Sequence, residues 1–281
     1  MSGGSSGGSS DAENGHSDGA GDDAETAGSS PQTRADTLVA VSVDAEAYAR
    51  ARDNAASASA VVGEDASRGA WFDAVYAQAQ GDAALIPWMH ATPIEVLRRW
   101  LDDHPLAATA TATTAAQPIR PLALDVASGL GDHAAMLALE GYDVIGFDLS
   151  PVAVGWAQKR HASVEALSFE VADLLEAPTA WRGQFDLVHD TYTLQSMPLA
   201  LLEAAQDAIA AMVKPGGRAV LITRMREADG PVDGPPFPLA PDAIERLRTG
   251  LGLVVEAEEA FTRPHTAGPV AHICLTLRKP V

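Results

Sequence analysis

The stretch Asp125-Val-Ala-Ser-Gly129-Leu-Gly131-Asp-His-Ala134 decides the fold, because it joins a short apolar run to a helical pattern through a glycine loop. The run before the loop, LALDVAS (122–128), is typical of a buried strand, and HAAMLALEGY (133–142) has helical periodicity. Glycines let the chain turn tightly and let a ligand approach the free N–H groups at the start of a helix. The stretch therefore predicts a strand, a ligand-binding loop and a helix in succession.

Strands and helices alternate on either side of this unit. The runs that predict strands are 122–128, 143–150, 167–174, 185–190 and, after the turn Pro215-Gly216-Gly217, 218–224. The runs that predict the intervening helices are 133–142, 152–162 and 199–213. Such alternation indicates an α/β fold with a parallel sheet and helices on both faces. Two further apolar runs, 251–259 and 271–278, have no clear helix between them, and we expect an antiparallel hairpin there.

Three regions follow from the composition. Residues 1–36 are rich in Gly, Ser and Asp and lack large apolar residues beyond the first position, so we expect a disordered linker or tail. Residues 37–118 predict an N-terminal helical cap and a low-complexity connection, since apolar residues around Trp71 and Trp100 recur at helical spacing. Residues 119–281 carry the alternating pattern and are expected to form the ligand-binding domain.

Composition also excludes some partners and chemistries. The formal net charge of −19 repels phosphates and anionic headgroups, so neither nucleic acid nor membrane is an expected partner. The single cysteine, Cys274, excludes an intrachain disulfide and a thiolate zinc cluster, and no metal site is predicted. Its apolar neighbours indicate a buried strand residue. No long apolar stretch or secretory signal pattern is evident, so a cytoplasmic location is expected. The oligomeric state cannot be inferred.

An acidic residue follows the glycine loop at a spacing typical of nucleotide-binding folds. Asp148 ends the second predicted strand 17 residues after Gly131, which suits an acid that reaches a ribose hydroxyl pair. The pattern Gly129-x-Gly131-x-x-Ala134 also fits a nicotinamide dinucleotide, so an NAD-dependent oxidoreductase stays open.

Two further acids favour a different cofactor. Asp125 lies in the first strand just before the loop, where a carboxylate could hold a cationic amino group. Asp173 closes the third strand, where it could accept a hydrogen bond from an adenine amino group. A nicotinamide enzyme needs neither of them.

The chain resembles the class I S-adenosylmethionine-dependent methyltransferases. The matching elements are DVASGLGDHA, VIGFDLSP, VADL, FDLVHD and VKPGGRAVLI, in the expected order over about 120–224. The resemblance implies a Rossmann-like, seven-stranded, mostly parallel sheet with an antiparallel last strand. FDLVHDTYTLQSMP (185–198), Trp181 and GPPFPL (234–239) resemble the small-molecule branch near the thiopurine and tellurite-type methyltransferases. In one departure, Ala127 stands where the family's loop usually has glycine, so we expect a slightly different turn or a ligand set further out.

The resemblance implies S-adenosyl-L-methionine as cofactor and assigns its contacts. The loop side would surround the methionine part through Asp125, Ala127, Gly129 and Gly131. Asp148 would accept from both ribose hydroxyls, and Leu149 would pack on the adenine. The remaining contacts would be Asp173 on the adenine amino group, Leu174 beside it and Asp190 nearest the methyl group. Each acid has a plainer alternative, namely a helix N-cap for Asp148, a solvated strand end for Asp173 and turn chemistry for Asp125.

Candidate catalytic residues follow the fourth strand, where open α/β sheets place ligands. They are His189, Asp190 and Tyr192. A packed, hydrogen-bonded histidine is the alternative for His189, and His133 beside the loop is a weaker candidate. Two further features of the sequence could cover the site. Trp71, Trp88 and Met89 would form a lid or a core stripe, and the loop 227–239, with Phe237, would form the rim of an acceptor pocket.

The sequence thus favours a small-molecule methyltransferase that works by in-line transfer, with the nucleophile held roughly 3 Å from the methyl carbon. The main alternative is a non-catalytic S-adenosylmethionine-binding module, since no obvious general base is present. The sequence does not identify the acceptor or its nucleophilic atom.

Overall fold

The computed structural model describes residues 45–62, 69–91, 94–106, 120–232, 234–263 and 268–281. The expected tail at 1–36 and nearly all of the connection before residue 119 lie outside the described residues. All described residues fall within one compact unit, Ala40–Val281.

The described residues form a seven-stranded sheet. Its strands are β1 (Leu122–Val126), β2 (Asp143–Asp148), β3 (Leu167–Val171), β4 (Phe185–Thr191), β5 (Val213–Arg224), β6 (Val254–Arg263) and β7 (Val270–Arg278). The strand order is β3-β2-β1-β4-β5-β7-β6, and β7 runs antiparallel to both of its neighbours. The parallel sheet, the terminal hairpin and the antiparallel last strand are confirmed. The order reverses between β1 and β4, and ligands of open α/β sheets bind at such a switch point.

Helices precede the sheet and cover its faces. They are α1 (Ala45–Val61), α2 (Ala70–Ala79), α3 (Pro87–Ala91), α4 (Ile94–Asp103), α5 (Asp132–Leu139), α6 (Pro151–Arg160), α7 (Leu199–Met212) and α8 (Pro241–Thr249). Helix α8 was not predicted. Its signals are Pro241 at the first helical position and the buried pair Ile244 and Leu247, which lie three residues apart.

The second βα connection, from β2 to α6, starts with a strong local signal. Ser150 is the N-cap of α6, because its side-chain oxygen accepts a hydrogen bond from the Ala153 N–H at 3.1 Å. Pro151 follows at the first helical position, where its fixed φ suits the helix and its missing N–H costs nothing. This start fixes the chain directly after the carboxyl end of β2.

Strand β5 is longer than predicted. It begins at Val213, and the Pro-Gly-Gly turn expected before it is an irregularity inside the strand. The pairing of β4 with β5 shifts register between Phe185 and Leu187 at this point. Gly217 is required there, because a Cβ atom would lie 2.7 Å from the carbonyl oxygen of Phe185.

Two apolar clusters are found among the described residues. The larger one packs α7, α8 and Trp181 against β1, β4, β5 and β7. The smaller one joins the helices before the sheet to α6 and the glycine loop through Ala58, Val75, Tyr76, Ala79, Ile86, Leu130 and Ala153. Cys274 is buried in β7, as predicted, and burial raises the pKa of its thiol to about 12. Among the described helices, none combines the length and apolar character needed to span a bilayer.

Candidate functional site

Three buried carboxylates meet at the carboxyl edge of the sheet. Asp125 in β1, Asp148 at the end of β2 and Asp190 in β4 are 1%, 9% and 0% exposed. The register places Val126 of β1 between Phe147 of β2 and Asp190 of β4, so all three acids lie beside the switch point. Parallel pairing of the three strands brings these acids to one edge of the sheet.

Asp148 is held by two backbone donors. Its Oδ2 accepts from the Gly129 N–H at 2.9 Å, and its Oδ1 accepts from the Ser150 N–H at 2.8 Å. Asp148 is therefore not the N-cap of α6, which is Ser150. Because a carboxylate has about four acceptor positions, Asp148 retains capacity for two further donors, such as a vicinal diol.

Asp125 is paired with a histidine on the neighbouring strand. Its Oδ1 lies 2.7 Å from Nδ1 of His189, and Nε2 of that ring lies 2.9 Å from the Thr191 hydroxyl. An ionised Asp125 accepts a hydrogen bond from the Nδ1–H group of His189, so Nε2 of the ring accepts one from the Thr191 hydroxyl. Oδ2 of Asp125 is buried and has no hydrogen-bond partner in the described part of the chain.

Asp190 presents an open oxygen. Its Oδ1 accepts from the Thr193 N–H at 3.1 Å, while Oδ2 is buried without a hydrogen-bond partner among the described residues. The Thr193 hydroxyl donates to the Val126 carbonyl at 3.2 Å, which ties the turn after β4 back to β1. The orientation of Asp190 is thus fixed on one side only.

The electrostatics of these acids calls for a cation. Burial raises the pKa of Asp125 to about 7, of Asp148 to about 6 and of Asp190 to about 7. The charge of Asp125 raises the pKa of the other two further. Within the described ranges, no lysine or arginine forms an ion pair with any of the three. Buried charges are costly unless paired, so this edge fits a ligand with positive charge.

The nearby histidines do not supply that charge. Burial lowers the pKa of His189 to about 3 and of His133 to about 4, so both are neutral near pH 7. Their ring centroids lie 4.8 Å apart, and Nε2 of His133 is buried without a hydrogen-bond partner among the described residues. Asp125, His133 and His189 offer metal-ligand atoms within 4.8 Å of one another. A metal would have to displace one of the two hydrogen bonds of His189, and the absence of a metal stays a prediction.

The glycine loop keeps a left-handed backbone where ligands approach. The φ angles are 46° at Ala127, 55° at Gly129 and 82° at Gly131. Ala127 therefore adopts the conformation that favours glycine, although alanine resists it. A Cβ atom on Gly129 would lie 3.1 Å from the Tyr76 hydroxyl. The close approach of Tyr76 to the loop therefore requires a residue without a side chain at position 129.

The helices before the sheet contact this loop. The Tyr76 hydroxyl in α2 accepts from Trp88 Nε1 at 3.0 Å, and the Ser150 hydroxyl donates to the Asp73 carboxylate. Trp71, Trp88 and Met89 are partly buried against the same cluster. Sequence reasoning missed Asp73 and the polar role of Tyr76, because helical periodicity identifies a buried face and not its polar partners.

The expected adenine contacts lie along the β3 side. Asp173 is the N-cap of a 3-10 turn at 174–176, since its Oδ1 accepts from the Leu175 N–H at 2.9 Å. Leu174 is 6% exposed within the larger core cluster, and Leu149 packs against Gly69. The adenine contacts of these residues stay predictions.

Tyr192, which follows β4, contacts residues of β5 and β7. Tyr192 has a φ of 74°, and its hydroxyl lies 2.8 Å from Nε2 of His272. The Arg224 guanidinium lies 5.4 Å from the centre of the Tyr192 ring. The loop after β5 returns here, where the Phe237 N–H donates to the Gln195 carbonyl at 2.5 Å. Sequence reasoning missed Arg224 and His272, which face each other only through antiparallel pairing of β5 and β7.

Comparison with known proteins agrees with this geometry. Residues 123–217 match a family described as a methyltransferase domain. The 2-heptyl-1-hydroxyquinolin-4(1H)-one methyltransferase of Mycobacteroides abscessus is 31% identical over 117 residues, which cover 40% of this chain and 50% of the relative. Thiopurine S-methyltransferase of Photobacterium profundum is 28% identical over 149 residues, which cover 48% of this chain and 70% of the relative. The chain thus spans half the length of the first relative.

A solved structure extends the likeness to the fold. The N-methyltransferase NodS from Bradyrhizobium japonicum, in complex with S-adenosyl-L-homocysteine, superposes with a TM-score of 0.52 at 20% identity. The superposition covers 69% of this chain and 92% of NodS.

Proposed function

We propose, on the premise that this chain carries a class I S-adenosylmethionine-dependent methyltransferase domain, that it methylates a small-molecule acceptor. The observation that carries the proposal is the group of three buried carboxylates, which form no ion pair with a lysine or arginine among the described residues. S-adenosylmethionine has the matching features, since it carries a sulfonium, an ammonium group and a ribose diol. A dinucleotide with its pyrophosphate would instead add negative charge to this edge.

Each acid suits one part of that cofactor. Asp148 is oriented by the Gly129 and Ser150 N–H groups and would accept from the ribose hydroxyls. Asp125 is oriented by His189, and its unpartnered Oδ2 would accept from the ammonium group. When bound, the cofactor supplies a methyl group on a sulfonium, whose leaving group is neutral. The protein's part is to hold the acceptor's nucleophile in line with that bond.

Asp190 is the residue best suited to receive a proton from the acceptor. A general base works best with a pKa near the working pH, and burial raises the pKa of Asp190 to about 7. Its Oδ2 is also unpartnered within the described residues. Both nitrogens of His189 are engaged by Asp125 and Thr191, so we assign His189 to positioning Asp125.

Heteroaromatic acceptors are the class supported by the relatives. The names of the two curated relatives specify a hydroxyquinolinone and a thiopurine. Both are planar rings that carry a nucleophilic heteroatom. We extend that class, an aromatic ring with an acidic O–H or S–H, to this chain.

The test is calorimetric titration with S-adenosylhomocysteine, followed by assays with radiolabelled S-adenosylmethionine on phenol, thiol and N-hydroxy heteroaromatic acceptors. We expect binding, and methyl transfer to at least one acceptor. Binding without any transfer would favour a non-catalytic cofactor-binding module. Binding of NADH in place of S-adenosylhomocysteine would contradict the proposal.

A further inference from the structure

Arg224 is a partly buried cation, and none of the described residues gives it an acidic partner. It ends β5, and its Nε is buried with no hydrogen-bond partner among the described residues. No carboxylate in the described ranges forms an ion pair with its guanidinium. The chain has 38 acidic residues against 19 Lys and Arg, so a counterion would be easy to supply within the fold. A guanidinium left in this state suits an anionic ligand, because buried charges are otherwise paired.

A second guanidinium converges on the same place. Burial raises the pKa of Tyr192, and Arg224 and Arg263 lower it through their charges and through hydrogen bonds to the Tyr192 side chain. Both also lower the pKa of His272, where burial is the main cause and the result is about 4. His272 is therefore neutral near pH 7. Arg263 also lies 3.8 Å from Glu95, whose side chain is half-exposed. Two guanidiniums therefore lie beside Tyr192.

The cluster lies on the acceptor side of the candidate site. Tyr192 directly follows β4, two residues after Asp190, and Arg224 ends the next strand. The Tyr192 N–H donates to the Ile222 carbonyl at 3.0 Å, which sets the two strand ends side by side. The Leu239 N–H donates to the Arg224 carbonyl at 2.9 Å, so the end of the loop after β5 lies beside the backbone of Arg224.

We propose that Arg224 binds a carboxylate of the methyl acceptor, with Arg263 adding positive charge. This inference rests on the proposed function and narrows its substrate class to aromatic acids. A guanidinium binds a carboxylate through two parallel N–H···O bonds, which fixes orientation as well as position. An acid held at the end of β5 leaves the other end of the ring to face Asp190. A local positive site is also needed because a surface with a net charge of −19 repels anions.

The test uses protein saturated with S-adenosylhomocysteine, so that no turnover is needed. Calorimetry measures the binding of benzoate, salicylate and 2-mercaptobenzoate and of their three carboxamides, which have nearly the same shape without the charge. We expect at least one acid to bind about ten-fold or more tightly than its amide, the strength of one good charge-assisted contact. We expect the preference to shrink at high salt.

Variants of two arginines on one strand locate the effect. Arg224→Met should abolish the preference for acids, and Arg224→Lys should keep part of it because the charge remains. Arg218→Met is the matched control, since Arg218 begins the same parallel segment at the opposite edge and pairs with Glu256. It should leave the preference unchanged.

The outcomes separate the two proposals. Equal binding of acids and amides by the wild-type protein, or a preference that survives in Arg224→Met, would overturn the carboxylate site while the cofactor site stands. If Arg224→Met loses thermal stability but keeps the preference for acids, Arg224 serves only to position Tyr192. That result would also overturn the carboxylate site. Failure of the wild-type protein to bind S-adenosylhomocysteine at the start would refute the proposed function itself.

Discussion

At the scale of single residues, the site depends on buried carboxylates and on an alanine with an unfavourable backbone conformation. Three carboxylates are buried from water and form no ion pair with a lysine or arginine among the described residues, and Ala127 adopts a left-handed backbone. The acids could be picked out from the sequence because each follows a strand pattern. Their second contacts, such as His189 on Asp125 or Gly129 on Asp148, depend on the register of strands that only folding brings together.

Replacing Asp148 by Asn should weaken binding of S-adenosylhomocysteine about ten-fold or more, because an amide presents one acceptor oxygen where the carboxylate presents two. Asp143→Asn is the matched control, since Asp143 is exposed at the opposite end of the same strand. Calorimetry of both variants checks this. Equal affinities would contradict the ribose assignment.

Replacing Ala127 by Gly should leave stability unchanged or raise it by up to about 1 kcal/mol. Relief of the left-handed penalty, roughly 1–2 kcal/mol, outweighs the added freedom of the unfolded chain, about 0.4–1 kcal/mol. The same change at Ala204, exposed in the middle of α7, should cost about 1 kcal/mol. Urea denaturation measures both, and a loss of stability at Ala127 like that at Ala204 would refute strain at the loop.

At the scale of elements, the glycine loop lies between β1 and helix α5 with α2 packed over it. The strand–loop–helix order could be predicted because it depends on the periodicity of apolar residues close together in sequence. The start of β5, helix α8 and the contact of α2 with the loop could not. They depend on a bulge against β4, on a short amphipathic segment and on contacts between parts of the chain far apart in sequence.

Two glycines should respond to alanine in opposite directions. Gly129→Ala adds a Cβ atom 3.1 Å from the Tyr76 hydroxyl at a φ of 55°, so we expect a loss of roughly 1–3 kcal/mol and weaker cofactor binding. Gly155 in α6 has nothing within 4 Å of such an atom, so alanine there should stabilise by about 0.5–1 kcal/mol. Thermal denaturation compares them. A harmless Gly129→Ala would show that α2 does not close on the loop.

At the scale of the whole molecule, negative charge lies on the proposed cofactor side of the sheet and positive charge on the proposed acceptor side. The acids lie at the ends of β1, β2 and β4, and the two arginines end β5 and β6. The sequence identified each acid of the first group at the end of a predicted strand. It could not predict the second, because Arg224 and His272 meet only in the antiparallel pairing of β5 with β7.

The central claim, that the buried acids form a cation site for S-adenosylmethionine, is tested most directly by its affinity as a function of pH. A cation stabilises the ionised carboxylates, and burial raises the pKa of Asp125 and Asp190 to about 7. Binding must therefore strengthen as the pH rises through that value. His133 and His189, which face Asp125, stay neutral over this range because their pKa values are about 4 and 3.

Calorimetry between about pH 5.5 and pH 7.5 should show S-adenosylmethionine affinity rising about ten-fold or more, with release of protons from the acids at the lower pH. The cofactor's own ammonium group stays protonated for most of this range, since α-amino groups titrate near pH 7.7–8.0. An affinity that is flat or falls with rising pH, or no binding at any pH, would contradict the account.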